Sequence, residues 1–526
     1  MQFKLEEVFN GNKLLWNKDK NILFKKLKKF INTKIEVKND FFIKKYFKDK
    51  NIYEISLKQF IIQKSINIFF NYELTKSLTK KKTFSYPLPS EILKIYQDEI
   101  IKVNFFLSNL KLIKFLFTEL IRGTYIFFKI FFSKGFNENK NFYKKFFFHS
   151  FTKVFLREKI NLEKNSLFEW FLRDNEYIFK NNHILISHSD KNKKKYEEKN
   201  FQISYNQLLP VPIKSIKNKL KFLLNFLIIL FINLKDIFIL NWKSSILFAE
   251  KVIYLNFHYC NKIELYDEYF FNNSEWLYKP LWTYKAEQRD SNISMIYYSI
   301  NDLPTEDISK YKNEREYLRI FHHHEIMTWQ RYYAWTEDHK NHLNYVLNEN
   351  LPKQILVKGY FILETGKEFQ PIEQKKTIIC FPITPIDPVI NVINQRHSNY
   401  LTFDSCKLFI KNIVQYYEKL NVKVYFKLKR NFNNQSNDDY KNFYNKMLEQ
   451  GKFFNLDPET DIEEIIEKSD LIISAPFTSV STVSKIKGKK TIYYDPTKSL
   501  NKPNHQKAAY NVPIIFDLKD LDLNDF

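Results

Sequence analysis

Glycine is scarce in this chain, at seven of 526 residues. Neither GxxxxGK[ST] nor GxGxxG occurs, which excludes a glycine loop that cradles phosphates and the kinase or dehydrogenase chemistry built on one. Cysteine is scarcer still. Cys260, Cys380 and Cys406 are far apart and in no metal or redox spacing, so they read as small buried side chains in a reducing compartment. Long apolar runs are also missing: the strongest, FLLNFLIILFINL at residues 222–234, falls short of the roughly 20 residues a bilayer span needs. With Lys214, Lys217, Lys219, Lys221 and Lys235 around it, that run reads as either a buried helix or an in-plane membrane contact. The opening MQFKLEEVFNGNK places two glutamates where a signal peptide needs an apolar core, so a cytoplasmic protein is expected. His322, His323 and His324 are adjacent, and successive helical residues point about 100° apart, so they do not read as ligands of one ion.

What the chain has in excess is lysine and phenylalanine. Arginine accounts for only 9 of 83 basic residues, and residues 1–160 hold 33 Lys and Arg against 14 Asp and Glu. The same segment carries 26 of the 52 phenylalanines. Lysines interleaved with aromatics suit an anionic membrane surface, where each Lys near the lipid contributes about 1 kcal/mol. A solvated lysine-rich face with no partner is the competing reading. Nucleic acid would also fit by charge and stacking, but arginine is sparse and no recognition motif is present.

The length suggests more than one domain. Residues 1–180 read as helical, and SHSDKNKKKYEEKN at 187–200 as a loop or linker. KVIYLNF from Lys251, SMIYYS from Ser294 and ILVKGYF from Ile355 read as strands of a first α/β lobe. We therefore expect a helical basic region over 1–200, an α/β lobe over 201–370 and a second lobe over 371–526. The last is the clearest. KTIICFP, VKVYFKL, GKFFNL, DLIIS, KTIYYD and VPIIF are short apolar strands alternating with helical segments, the pattern of a doubly wound, Rossmann-like parallel sheet.

Ligands of such sheets bind outside the carboxyl ends of the strands. DLIIS ends on Ser474 and is followed by Ala475, Pro476, Phe477, Thr478 and Ser479. Pro476 stops the strand, and Thr478 or Ser479 would cap a helix whose N-terminus attracts an anion. An ordinary capped turn is the plainer alternative. Lys427, Lys429 and Arg430 follow VKVYFKL at the same edge, where a guanidinium fork suits a phosphate; Arg396 lies in the loop after the lobe's first strand. Asp495 ends KTIYY and would either accept from a sugar hydroxyl or cap the next turn. Together these residues outline a pocket for a nucleotide phosphate.

SDLIISAPFTSVSTV with KGKKTIYYDP, the FKLKR element, and more loosely WTYKAEQRDSNISMIYYSIN, resemble the polysaccharide biosynthesis PFTS motif family over about residues 275–526. The resemblance implies a GT-B-like glycosyltransferase of two Rossmann-like lobes. It would take a nucleotide-sugar donor on the C-terminal lobe and a glycan or lipid-linked glycan acceptor of O-antigen or capsule type on the other, without an obligatory metal. The basic, phenylalanine-rich segment and the missing signal peptide and span add the expectation of a peripheral position on the cytoplasmic face of the inner membrane. The paired-glutamate element of many retaining members is absent, which leans toward inversion. Glu287 and Asp290 are then the candidates for the base that deprotonates the acceptor, with a purely structural role for both as the alternative. Two other readings stay open: transfer of a phosphate-linked polyol to a wall or capsule polymer, and a non-catalytic protein that binds membrane through its basic segment.

Overall fold

The computed structural model describes residues 33, 35–37, 40–47, 50–78, 83–96, 102–133, 142–149, 170–171, 180, 182–187, 196–198, 201–206, 212–272, 277–297, 299–300, 326–347, 353–360, 367–372, 376–383, 402–432, 438–501, 505–506 and 509–521. The histidine run and Arg396 lie outside them. The architecture is mixed α/β with two large sheets. The first has eight strands: β1 (Lys144–Phe148), β2 (Asn182–Ser187), β3 (Tyr196–Glu198), β4 (Phe201–Asn206), β5 (Glu268–Asn272), β6 (Asn292–Ile296), β7 (Arg331–Ala334) and β8 (Gln354–Val357). Their spatial order is β8-β7-β6-β5-β1-β2-β4-β3, parallel throughout except for the β3–β4 pair. The second sheet has six strands: β9 (Ile378–Phe381), β10 (Tyr425–Lys427), β11 (Phe454–Leu456), β12 (Leu471–Ser474), β13 (Thr491–Tyr494) and β14 (Ile514–Ile515). It is wholly parallel in the order β11-β10-β9-β12-β13-β14, which is the 3-2-1-4-5-6 order of a dinucleotide-binding fold.

Helices cover both sheets: α1 (Phe41–Tyr46), α2 (Lys50–Leu78), α3 (Ser90–Tyr96), α4 (Phe105–Phe131), α5 (Ile216–Phe238), α6 (Phe248–Tyr259), α7 (Leu281–Glu287) and α8 (Glu337–Val346) on the first, then α9 (Phe403–Glu418), α10 (Asp438–Glu449), α11 (Ile462–Glu467) and α12 (Ser479–Ile486) on the second. Central strands buried at every position, such as β5, β9, β12 and β13, need cover on both faces, and that is why they read as unbroken apolar runs. Local chemistry starts the helices: Asn104 accepts from Leu107 N at 2.9 Å, Thr336 from His339 N at 3.1 Å and Asp461 from Glu464 N at 3.0 Å. Asp40 caps α1 and also takes Lys251 Nζ of α6 at 2.7 Å in a buried pair. Burial alone would raise that carboxyl; the lysine charge and its hydrogen bonds hold it below the usual range.

Three expectations are corrected here. KVIYLNF is helix α6, buried at Val252, Tyr254, Leu255, Asn256 and Phe257, and a helix enclosed on most sides has the same continuous apolar sequence as an enclosed strand. The boundary expected at 200 cuts through one sheet, because β1 and β2 come from the region read as helical. β1 is the lysine- and phenylalanine-rich KKFFF, whose buried end again carries no period. The stretch read as a linker holds β3, a polar edge strand antiparallel to β4. The two lobes touch through Asn511 Nδ2 on Asp338 Oδ2 at 2.8 Å and through the rings of His339 and Tyr510, and the segment joining them is held by Ile372 N on Tyr425 Oη at 2.7 Å.

Candidate functional site

In the second sheet the chain reverses its winding between β9 and β12, and the crevice outside those two carboxyl ends is where such folds take ligands. Pro382, Ile383, Ala475, Pro476, Tyr494 and Pro496 line a pocket there, closed from behind by Cys406 and Phe409 of α9. The PFTS turn forms one wall. Pro476 ends β12, and Phe477 takes φ 62°, the left-handed region that non-glycine residues seldom occupy. The Phe477 ring sits 5.9 Å from Tyr493, whose hydroxyl donates to Thr478 O at 2.9 Å, so neighbouring β13 holds the bend. Thr478 occupies the N-cap position of α12 without capping it; its hydroxyl donates backward to Ala475 O at 3.3 Å. This differs from the ordinary capped turn, and it aims the helix N-terminus at the crevice without a threonine oxygen over it. Ser479, partly buried, opens the helix.

Of the other expected residues, the edge keeps two and the interior takes three. Lys429 and Arg430 are exposed beyond the end of β10, next to β9, and Arg430 has no hydrogen bond or ion pair among the described residues. Lys427 is instead buried, with its ammonium on Pro458 O at 2.7 Å, and burial pushes it down to about 8 despite Asp457 and Asp461 nearby. Ser474 is buried in a hydroxyl pair with Ser481 of α12, joining strand to helix. Asp495 is fully buried and follows the capping alternative. One oxygen accepts from Thr497 N at 2.9 Å and Thr497 Oγ1 at 2.6 Å, the other from Ser499 Oγ at 3.2 Å and Leu500 N at 2.9 Å. It shapes the turn that carries Pro496 and has no oxygen directed at a sugar.

The first sheet has a winding reversal of its own, between β1 and β5. Glu287 and Asp290 are not there. Both fall after α7 or at its end, at the amino edge of β6, the opposite side from ligand-binding crevices. Glu287 is held by buried Lys279 at 2.5 Å, which also donates to Thr328 O at 3.0 Å; exposed Asp290 pairs with Lys262, whose hydrogen bond holds its carboxyl below the usual range. The carboxylate at the crevice is Glu250. It lies in the first turn of α6, the helix leading into β5, so it stands at the carboxyl edge. Glu250 Oε2 accepts from Leu281 N at 3.1 Å, at the start of α7. His149, directly after β1, stacks on Phe271 at 4.7 Å, and Arg122 pairs with Glu119 at 3.4 Å on α4. Burial raises the Glu250 carboxyl from 4.5 to about 7; Arg122, the Leu281 N–H and His149 pull it down, and Glu119 adds to the rise. The residue as a whole is half-buried, with its carboxyl enclosed beside the start of α7.

Residues 230–524 match the polysaccharide biosynthesis PFTS motif proteins, more than half of the chain. The chain belongs to this family. The match spans the PFTS turn and Glu250, whereas Glu119, Arg122 and His149 around Glu250 lie before it. No curated protein matches. Among solved structures the chain is similar to sucrose-phosphate synthase from Thermosynechococcus elongatus, with 8% identity, 70% of this chain and 88% of that one covered, and a TM-score of 0.36. It is also similar to OtsA in its apo structure, with 10% identity, 70% and 90% coverage and a TM-score of 0.34. A third likeness is to trehalose-6-phosphate synthase, OtsA, with 10% identity, 70% and 90% coverage and a TM-score of 0.34.

Proposed function

We propose that this PFTS motif protein is a GT-B-like glycosyltransferase that moves a sugar from a nucleotide-sugar to a surface-polysaccharide acceptor of O-antigen or capsule type. The observation that carries the reading is the PFTS turn itself, set at the winding reversal of a 3-2-1-4-5-6 sheet with an N-terminus that Thr478 leaves uncapped. Family membership supports the same reading. The donor diphosphate rests against the start of α12, where Ser479 offers a hydrogen bond and Lys429 and Arg430 counter its charge, and the reading needs no obligatory metal. Lys427, Ser474, Pro476 and Asp495 shape this edge without touching the donor.

Glu250 acts as the base in the facing half of the reaction. Its carboxylate takes the proton of an acceptor hydroxyl, and the hydroxyl oxygen attacks the anomeric carbon. The bond from that carbon to the diphosphate breaks, and the nucleoside diphosphate leaves with the electron pair. Charge grows on the leaving group as the bond lengthens, so Arg430 and the α12 N–H groups act most strongly in the transition state. The acceptor sits on the first lobe, on the cytoplasmic face of the membrane that carries lipid-linked glycans. The product decides the matter. Incubation with nucleotide-sugars and a lipid-linked acceptor is expected to release nucleoside diphosphate and form a glycosidic bond; a phosphodiester product would instead indicate a polyol-phosphate transferase.

A further inference from the structure

Helices α4 and α5 lie side by side and antiparallel. Phe127 near the end of α4 stacks on Phe222 and Phe226 near the start of α5, at 5.2 and 3.8 Å, while Phe117 meets Phe238 at 6.4 Å. Both rest on α6, to which Phe226 and Gly123 turn: Phe226 meets Phe248 at 6.4 Å, and Gly123 leaves that ring its space. Their other faces are bare. On α5, Leu220, Leu224, Leu227, Ile228 and Phe231 form one outward stripe at helical spacing, with Leu224 60% and Phe231 67% exposed. On α4 the stripe is Leu110, Ile121, Tyr125 and Phe128, with Phe132 just beyond the helix end 70% exposed. Monomeric soluble surfaces seldom hold a contiguous apolar patch of this extent without a partner.

The charges identify the partner. Lys111, Lys114, Arg122 and Lys129 on α4 are exposed, as are Lys217, Lys221 and Lys235 on α5. The only acids on the two helices, Glu119 and Asp236, are buried on the inner side. The outward surface is therefore apolar and exclusively cationic. A second copy of the chain would set lysine against lysine, and a nucleic acid would leave the leucines wet. An anionic bilayer satisfies both components, taking the stripe into its interface and the lysines onto its headgroups. No described helix is long and apolar enough to cross a membrane, which fits contact in the plane.

We propose that α4 and α5 form a docking face that lies in the surface of an anionic lipid bilayer. The inference rests on the proposed function for its consequence: the inner side of α4 carries Glu119, whose charge acts on Glu250, so docking brings that crevice to the lipid surface and selects lipid-linked acceptors. The test is sedimentation of the full chain with phosphatidylcholine vesicles, with and without phosphatidylglycerol. Wild type is expected to pellet with the anionic vesicles and to release as salt rises. Leu224→Glu with Phe231→Glu, both outward and away from either crevice, is expected to lower the bound fraction at least tenfold, with an unchanged circular dichroism spectrum. Lys217→Glu with Lys221→Glu is expected to weaken binding to anionic vesicles only. Undiminished binding by the Leu224 and Phe231 variant would overturn the proposal, as would a wild-type dimer that this variant dissociates. Transfer to a short water-soluble acceptor, assayed in parallel, should survive in the variants. Docking without transfer in the wild type would leave this face standing and remove the enzymatic reading.

Discussion

Glu250 is the residue whose behaviour separates a working crevice from a merely polar one. With its carboxyl raised to about 7 by burial, kcat/KM is expected to climb with pH through that value. Glu250→Gln should remove that limb and lower turnover by roughly 10²–10⁴-fold, with donor binding unchanged. The stability sign runs the other way: the folded chain holds this proton more tightly than the unfolded one, so stability falls as pH rises from 4.5 toward about 7. A flat pH profile in the wild type would show that Glu250 takes no proton from substrate. The sequence hid this residue because KVIYLNF read as a strand, which left Glu250 just outside any element. The missed signal was length: twelve residues without glycine or proline suit a helix, and the lone carboxylate then falls in its first turn. Lys427 and Asp495 were placed at the correct edge by strand position, but their partners come from the next loop over and from the following turn, and alternation along one strand says nothing of either.

Among the elements, the six strands of the second sheet were all legible, because each is a short run rich in apolar residues that a helix or turn follows. In the first sheet only β6 and β8 were legible. Its strands β1 and β2 sit among lysine-rich segments whose overall periodicity suggested helices, and nothing local marks a parallel strand that pairs with one more than a hundred residues away. The α4–α6 contact gives an element-scale prediction. A Cβ at Gly123 would stand 2.5 Å from the Phe248 ring, too close for either helix to keep its place. Gly123→Ala is expected to lower unfolding stability by about 1–3 kcal/mol in denaturant titration. Because α4 also walls the Glu250 crevice, transfer should weaken alongside. An unperturbed midpoint would mean that α4 does not pack on α6 this tightly.

At the scale of the molecule, two parallel sheets each reverse their winding once, and each reversal carries a different chemistry: an uncapped helix N-terminus with exposed cations on one, a buried-raised carboxylate on the other. That division suits a transfer reaction, in which one partner departs as an anion and the other must lose a proton. The basic character of the amino-terminal third, visible in composition, is clearest on α4, which buries its one acid, Glu119, and exposes Lys111, Lys114 and Lys129. The central claim is that the PFTS crevice holds a nucleotide-sugar. The most direct measurement is the thermal shift of wild type, Arg430→Ala and Ser479→Ala against UDP, GDP, CDP, CMP and dTDP and their common sugars. A ligand at about 100 times its Kd stabilises by about 2.7 kcal/mol, a readable shift. One nucleotide-sugar is expected to stabilise the wild type strongly and both variants weakly; equal shifts in all three proteins, or none in a folded wild type, would contradict it.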